Sequence, residues 1–413
     1  LEGSPTGLVQ ANGGNTGWNG WGGSGGRVAV LYNVAAQAGY NPGVRFQVAG
    51  GVHGTRRQDA SDGTLYLPDF NMFSETMGGS QFGRARALIA GRTNWSVASL
   101  TLTNCDLTFG TDRFSLTVTN NLTIGSNARL GFVGWPLVRC RNLILTNGGD
   151  LVVYAGPTNS SGKNYSALVQ ATDATRIGVG SWIYPISDYT NGGSPLFRMK
   201  NLFVAAGGGF DADGYGYGQR QGPGMGNGAG HGGMGGNGNA PGPTYGSPNM
   251  PIRPGSGARN YTWGAPGGGE GGGAIRILAS KDIFLDGTLS ADGYGGWDTH
   301  GGGGAGGTIL IICRQFFGGA TAVMRARAGD GNNGYGAGGG GGRIAVCMGS
   351  PLDITWGIIS SGAERPYLQY SATCPTYAGT ISIANGTGSA GTGQSGTKMF
   401  VYFENKGTIL RIR

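Results

Sequence analysis

The chain has 413 residues, of which 90 are glycine and 17 are proline, together about a quarter of the sequence. Such a share borders on the composition of disordered chains, but 38% of the residues are hydrophobic, which is enough for a core. Glycine does not occupy every third position, which excludes collagen. We therefore expect an ordered, glycine-rich fold.

Charged residues make up only 12% of the chain, and 29 basic against 21 acidic side chains give a net charge of +8. The basic residues are spread singly and form no basic run, so we expect no nucleic-acid partner. No apolar run approaches the roughly 18 residues of a transmembrane helix, so we also expect no membrane span.

The sequence opens with Leu1-Glu2-Gly3-Ser4, without an initiator methionine or a signal-peptide pattern. We expect a mature or excised part of a secreted precursor that works outside the cell. Asn-x-Ser/Thr triplets, the acceptors for N-glycosylation, are compatible with this expectation. They are found at Asn94, Asn121, Asn159, Asn164, Asn260 and Asn385.

The first segment, residues 1–70, carries an apolar run at Leu8-Val9 and then a glycine-rich stretch that leads into Gly26-Arg27-Val28-Ala29-Val30. The same pattern returns as Gly342-Arg343-Ile344-Ala345-Val346. The head of the sequence therefore resembles its tail.

The second segment, residues 71–200, alternates apolar and polar residues, as in Ser115-Leu116-Thr117-Val118-Thr119 and Asp150-Leu151-Val152-Val153. Turn signals interrupt this alternation at intervals of roughly 6 to 10 residues. The pattern predicts short β-strands and no helix.

The third segment, residues 201–348, repeats an apolar run, an Asp-Gly turn, a glycine tract and another apolar run three times. An insertion rich in Gly, Pro and Asn, residues 216–265, interrupts the first copy. We interpret it as an ordered loop or glycine sheet that covers one face; the alternative is a surface for a neighbouring subunit or a ligand. The fourth segment, residues 349–413, ends in strand-like runs whose open edge would invite pairing.

These patterns predict an all-β fold, a parallel β-helix or β-solenoid with polyglycine-II-like strands. A short strand leaves its backbone N–H and C=O groups unpaired unless a neighbour lies about 4.8 Å away, and the next repeat supplies that neighbour. Glycine tracts can pack backbone against backbone because they carry no Cβ.

Aspartates recur in the turns of the third segment, where stacking could bring carboxylates together as Ca²⁺ ligands. The alternative, which we favour, is plain Asp-Gly turn chemistry without a cofactor. The candidate ligands are Asp211, Asp213, Asp292 and Asp330.

Aromatic residues also recur in turns, where they either stack on a sugar or a partner, or cover the glycine packing from outside. They are Trp18, Trp21, Tyr215, Tyr294 and Trp297. The three histidines, His53, His231 and His300, lie far apart in the sequence with no catalytic pattern around them. The glycine tracts lead into strands rather than helices, which argues against a dinucleotide site. We therefore expect no enzyme.

Five cysteines show no metal-binding spacing. Cys313 and Cys347 both end apolar runs of successive repeats, so we expect them in neighbouring strands, as a disulfide or as buried free thiols.

Together these motifs resemble the glycine-rich repeats of very large secreted bacterial surface proteins. The stretch Ser115–Ile124 is similar to the Leu-Thr-Val-Thr repeats of adhesin-type and autotransporter-type β-helices. The resemblance implies a parallel β-helix with an extracellular, structural or adhesive role.

Our leading hypothesis is a structural subunit that assembles with copies of itself, head to tail, into an extracellular filament or sheath. Two further hypotheses are a glycan- or surface-binding adhesin segment of a larger solenoid and a carbohydrate-active β-helix enzyme. The residues expected at the subunit junction are Leu8, Val9, Val28, Val30, Phe400, Val401, Ile409 and Ile412.

Overall fold

The computed structural model describes residues 3–4, 6–15, 22–40, 42–52, 60–157, 165–238, 240–260, 267–332, 334–349 and 368–403. This part of the chain is almost entirely β, in parallel sheets, which confirms the predicted all-β class. Within it, no helix is long and apolar enough to cross a membrane.

Up to Ala171, the described residues contain fifteen strands and one short helix, α1 (Val34–Gln37). The strands are β1 (Leu8–Gln10), β2 (Arg27–Ala29), β3 (Arg45–Gln47), β4 (Thr64–Leu67), β5 (Thr76–Met77), β6 (Phe82–Gly83), β7 (Ala85–Ile89), β8 (Asn94–Val97), β9 (Leu100–Thr103), β10 (Asp106–Phe109), β11 (Ser115–Gly125), β12 (Arg129–Phe132), β13 (Leu137–Leu145), β14 (Asp150–Tyr154) and β15 (Ala167–Ala171).

Fifteen more strands follow in the described residues. They are β16 (Ala174–Ile177), β17 (Trp182–Ile186), β18 (Pro195–Met199), β19 (Asn201–Val204), β20 (Gly209–Asp211), β21 (Ala274–Ala279), β22 (Asp282–Leu285), β23 (Thr288–Ser290), β24 (Thr308–Cys313), β25 (Gln315–Gly318), β26 (Val323–Arg325), β27 (Arg343–Met348), β28 (Leu368–Ser371), β29 (Thr380–Ser382) and β30 (Thr397–Phe403).

The chain forms two compact units. Unit 1 comprises Leu1–Tyr154 with Ala167–Thr172 and Arg176–Tyr184, and unit 2 comprises the remainder, mainly Pro185–Arg413. The first two sequence segments thus contribute mostly to unit 1, and the last two to unit 2.

In unit 1, each strand pairs in parallel with the strand that follows one repeat later. The ladder β2-β4-β7-β10-β12-β14 is the longest within this unit. Its inward residues stay in register, because Leu107 pairs with Leu130, which pairs with Leu151, and all three are fully buried. Alternation along each strand therefore places the same face inward in every layer.

Aromatic rings fill much of the interior of unit 1. Phe109 stacks on Phe114 with ring centroids 4.4 Å apart and on Phe132 at 5.6 Å. Phe73 stacks on Phe82 at 5.1 Å. Such buried rings contribute a large apolar area for each residue, which compensates for the shortness of the strands.

In unit 2, β18, β21, β24, β27 and β30 pair in parallel, and β28 pairs antiparallel with the last of them. All six residues of β24 and of β27 are buried, so both faces of these strands are covered. One cover comes from the insertion, since Met250 packs in a cluster with Leu310, Ile312 and Ala345.

The glycine tracts of unit 2 lie beside one another and exchange backbone hydrogen bonds. The amide of Gly232 donates to the carbonyl of Gly341 at 2.9 Å, and the amide of Gly340 donates to that of Ala229 at 2.8 Å. The insertion therefore continues the layer of the three repeated tracts. One cluster of buried side chains there consists of three alanines, at positions 229, 258 and 305.

We predict that Gly303→Ala destabilises the chain by about 3 kcal/mol, because the added Cβ would overlap the carbonyl oxygen of Gly329, which is backbone and cannot rotate away. The matched control is Gly218→Ala, where the nearest atom is a side-chain carbon of Tyr189 at 3.4 Å. The control should change the free energy of unfolding by less than about 1 kcal/mol in either direction. Urea unfolding followed by circular dichroism measures both, and equal losses would contradict backbone packing as the cause.

Candidate functional site

Strands β1 and β2 form an open edge in unit 1, which we call the head edge. Leu8 of β1 pairs with Arg45 of β3, and Arg27 of β2 pairs with Thr64 of β4. Among the described residues, neither β1 nor β2 has a strand on its other side. One edge of each strand is therefore available for a further parallel neighbour.

The layer that carries the head edge is bonded to the layer beneath it at a constant interval of 37 residues. The side-chain oxygen of Asn12 accepts from the amide of Ala49 at 3.0 Å, and that of Asn15 accepts from Val52 at 2.9 Å. Both asparagine side chains of this layer thus bond to the backbone of the layer beneath.

Large apolar side chains are exposed around the head edge. Leu8 is 43% exposed and Val9 is 42% exposed, whereas Val28 and Val30 are partly buried. Water-exposed apolar groups at a strand edge favour association. The exposed set in this part of unit 1 is Leu8, Val9, Leu31, Val34, Tyr40, Val52 and Tyr66.

Glycines extend the head edge beyond its strands. The amide of Gly13 donates to the carbonyl of Ala49 at 2.8 Å, and that of Gly51 donates to Gly23 at 2.8 Å. A Cβ added at Gly14 would meet no atom of the described residues within 4 Å. This glycine layer is therefore bonded to the next one, and within the described residues it is open beside Gly14.

A second open edge, which we call the tail edge, lies in unit 2 and consists of β29 and the glycine-rich tract 386–396. Ile381 of β29 pairs with Met324 of β26, and no strand pairs with its other side among the described residues. The amide of Gly386 donates to the carbonyl of Gly339 at 2.9 Å, which bonds this tract to the preceding one. Thr387 and Ser389 of the tract are exposed.

The junction residues expected in the last strands are placed differently. Phe400 and Val401 lie in β30, are 2% and 3% exposed, and are covered because β28 pairs with the second edge of that strand. Ile409 and Ile412 lie outside the described residues. Within the described residues, β30 therefore has no unpaired edge, whereas β29 and the antiparallel β28 each have one.

The turn aspartates of unit 2 are bound to arginines and backbone amides across successive repeats. Asp292 accepts from the amide of Arg327 at 2.6 Å and from its Nη2 at 2.7 Å. Asp213 accepts from the amide of Asp292 at 2.7 Å, from the Ser290 hydroxyl and from Arg325 Nη2 at 3.0 Å. Burial raises the pKa of Asp292, and the guanidinium of Arg327 opposes that rise.

Asp330 accepts from the amide and hydroxyl of Thr387 at 2.7 and 3.0 Å, and Asp211 accepts from the amide of Asp213 at 2.9 Å. The described residues contain no group of three or more His, Cys, Asp or Glu side chains that could hold a metal. These aspartates have ordinary turn and ion-pair partners, and Ca²⁺ binding stays a prediction.

Of the turn aromatics, Tyr215 and Tyr294 are partly buried and Trp297 is 47% exposed. The ring of Tyr294 lies against Gly214, where an added Cβ would overlap it. This ring therefore covers glycine backbone. Trp18 and Trp21 lie outside the described residues.

A row of phenylalanines that the sequence analysis did not single out crosses three strands of unit 2. Phe284 stacks on Phe203 at 5.2 Å and on Phe317 at 5.1 Å, and it is 39% exposed. Sugar stacking needs a free ring face. Both faces of Phe284 are covered by its neighbours, so this row is suited to stabilising the stack of strands.

The buried histidine His231 is held inside the glycine layers. Its Nδ1 donates to the carbonyl of Gly306 at 2.8 Å, and its buried Nε2 has no hydrogen-bond partner among the described residues. Burial lowers its pKa to about 4, and the charge of Arg343 lowers it further. Arg343 is itself bonded to the carbonyl of Tyr245 at 2.9 Å. No sequence pattern marks this set, because its members lie up to 112 residues apart.

The glycosylation candidates differ in access. Asn94 and Asn121 are exposed and Asn385 is partly exposed, whereas Asn260 is 2% exposed and bonded to Asp298. Asn260 could be modified only before folding. Asn159 and Asn164, like His53, lie outside the described residues.

All five cysteines are buried free thiols. Cys313 and Cys347 occupy neighbouring strands, as expected, but they are not opposite each other. Cys313 pairs with Met348 and Cys347 pairs with Ile312, so the two thiols lie on opposite faces of the sheet. The disulfide alternative is therefore wrong for this pair.

Comparison of the chain with protein-family models, curated protein sequences and solved structures finds no match.

We predict that Asp292→Ala lowers the free energy of unfolding by about 2 kcal/mol, because it removes the acceptor shared by Arg325 and Arg327. The control is Arg314→Ala, which breaks the more exposed pair with Asp282 and should have little effect. Urea unfolding checks both variants. Addition of EDTA to the wild type serves as a separate arm, since a loss of stability there would favour Ca²⁺ over the ion-pair account.

We predict that His231 makes the chain less stable as the pH falls. Between its ordinary pKa of 6.5 and about 4, the unfolded chain binds a proton that the folded chain does not bind. Lowering the pH from 7 to 4 should therefore cost about 3 kcal/mol through this group.

The pH dependence is measured as the difference between the wild type and His231→Gln. The partly buried Asp106 and Asp150 in unit 1 have pKa values that burial raises to about 6, and they act in the opposite direction. His300→Gln, which changes a histidine that stacks on Tyr335, is the matched control. The same pH slope in all three proteins would contradict the assignment.

Proposed function

We propose that this protein is a glycine-rich parallel β-solenoid and a structural subunit of an extracellular filament or sheath, joined head to tail with copies of itself. The observation that carries the proposal is that, among the described residues, unit 1 has an open strand edge near its start, the head edge, and unit 2 has one near its end, the tail edge. The head edge offers β1, β2 and an open glycine layer, and the tail edge offers β29 and the tract 386–396.

The equivalence of β29 and β4 supports pairing at the tail edge. Gly379-Thr380-Ile381 of β29 repeats Gly63-Thr64-Leu65 of β4. β4 has parallel partners on both sides, and its Leu65 is fully buried. In β29, Ile381 is partly exposed. A further layer on β29 would give Ile381 the environment that Leu65 already has.

Backbone pairing and apolar burial would both stabilise the junction. Leu8 and Val9 are exposed in the single chain, so covering them removes apolar surface from water. A heterologous contact of this kind does not close on itself and therefore produces a fibre. β-strand addition at an edge is a known mode of recognition.

The extracellular location is part of this proposal. The exposed Asn94 and Asn121 are accessible acceptors for sugars. Burial raises the pKa of Cys105 and Cys140 to about 12, which keeps the thiols protonated and slow to oxidise. Free cysteines are in this way compatible with an oxidising environment.

We predict that the wild-type chain forms unbranched fibres visible by negative-stain electron microscopy. The double variant Leu8→Lys/Val9→Lys should reduce the sedimenting mass at least tenfold, because two desolvated charges would face the incoming edge. Val179→Lys is the control, since Val179 is 69% exposed in unit 1 but lies away from the head edge in sequence. It should assemble like the wild type.

The head-to-tail direction is tested by mixing. The double variant keeps its tail edge, so a small fraction of it should join wild-type fibres at one end, stop growth there and shorten them. Wild-type chains that remain monomeric at all concentrations, or fibres whose length does not respond to the double variant, would contradict the proposal.

A further inference from the structure

Unit 1 contains a groove of about 420 Å³ that plays no part in the backbone pairing described above. It lies between strand β3 and the turns that precede β6, β10 and β12. Its polar lining includes two arginines, one carboxylate and four uncharged side chains: Arg45, Arg84, Asp106, Gln47, Ser80, Asn104 and Asn127. Leu8 of β1 is also part of its wall.

Three stacked turns give the groove its polar wall. Ser80, Asn104 and Asn127 all have left-handed backbone conformations, with φ of 63°, 44° and 59°. The amide of Ser80 donates to the carbonyl of Asn104 at 2.8 Å, and the amide of Asn104 donates to that of Ser126 at 2.8 Å. The turns are thus fixed to one another, which presents a row of amide and hydroxyl groups at the spacing of the strands.

The guanidinium of Arg45 is the main charge that the groove leaves unneutralised. Within the part of the chain that the structure describes, it forms no ion pair; its Nη2 donates to the carbonyl of Thr6 at 3.4 Å, and its Nε is buried without a hydrogen-bond partner. A buried donor without a partner is costly. An acceptor supplied by a ligand would remove that cost.

The other charged side chains of the groove, Arg84 and Asp106, have neighbours of opposite charge. Arg84 pairs with Asp62 at 2.9 Å. Asp106 lies opposite Arg129 of the next strand. Burial raises the pKa of its carboxyl to about 6, the guanidinium groups of Arg129 and Arg84 oppose that rise, and the carboxylates of Asp62 and Asp150 add to it. Arg45 is thus the charged side chain of the groove that has no charged partner among the described residues.

We propose that this groove binds an acidic saccharide, with Arg45 pairing to the carboxylate of a uronic acid and the amides of Gln47, Asn104 and Asn127 bonding to its hydroxyls. A guanidinium binds a carboxylate through two parallel hydrogen bonds, which fixes orientation as well as charge. The volume lies within the range of small-molecule sites. The carboxyl of Asp106 bonds to a hydroxyl at the far side of the sugar ring.

The test is a calorimetric titration of the full chain with digalacturonate, compared with its uncharged methyl diester and with inorganic sulfate. We expect saturable binding of digalacturonate that is at least tenfold tighter than that of the diester or of sulfate. Arg45→Gln should weaken it at least tenfold. Arg139→Gln, which removes an exposed arginine of β13 in the same unit, should leave it unchanged.

Gln47→Ala provides a second variant that keeps the charge of the groove, and it should weaken binding several-fold. Circular dichroism establishes that each variant is folded. Absence of saturable binding, an equal loss in Arg45→Gln and Arg139→Gln, or equal affinity for the methyl diester would overturn the proposal. Sulfate binding as tight as that of digalacturonate would reduce the site to a simple anion site and would also overturn it.

Discussion

Every extended backbone segment must find a partner for its N–H and C=O groups about 4.8 Å away, and this requirement governs both units of the protein. In each unit the partner is the segment one repeat later in the sequence. Short strands that could not persist alone therefore become stable as members of a stack. The same requirement makes the outermost layer of any such stack incomplete, which is the basis of the proposed assembly.

The two units meet this requirement with different interiors. Unit 1 fills the space between its sheets with side chains in register, such as Leu107, Leu130 and Leu151. Unit 2 also packs glycine backbone against glycine backbone, with Ala305 among the few side chains inside. Ordering glycine costs more conformational entropy than ordering other residues, so these tracts are tolerated where hydrogen bonds between layers offset that cost.

Much of this arrangement could be predicted from the sequence. Strand β11 coincides with the period-two pattern of Ser115–Gly125, and strands β21, β24 and β27 coincide with the apolar runs after the glycine tracts. Successive side chains of a strand point to opposite faces, so a buried face produces a pattern that is visible in the sequence. The insertion also lies against the sheet that its Met250 covers.

Other features depend on contacts that the sequence pattern does not encode. Arg325 forms an ion pair with Asp213, which lies 112 residues away in the sequence. Strand β28 pairs antiparallel with β30, whereas the other strands of that ladder are parallel. The offset of the two cysteines, by contrast, could have been counted, since Cys313 is six residues after Gly307 and Cys347 only five after Gly342. A shift of one residue changes the face of a strand, so register must be counted from a fixed point.

The groove beside the head edge could not be predicted for a related reason. Its wall is made by Ser80, Asn104 and Asn127, which belong to three different repeats and share only their turn position. Arg45 reaches this wall because β3 lies in a separate short ladder with β1 and β6.

The most direct test of the incomplete-edge account is amide hydrogen exchange as a function of protein concentration. The account predicts that the amides of β1, β2 and β29 exchange fast in dilute solution and become protected as chains assemble, while those of β7 and β24 are protected throughout. Edge amides that are already protected in the dilute monomer, or that stay unprotected in fibres, would contradict it.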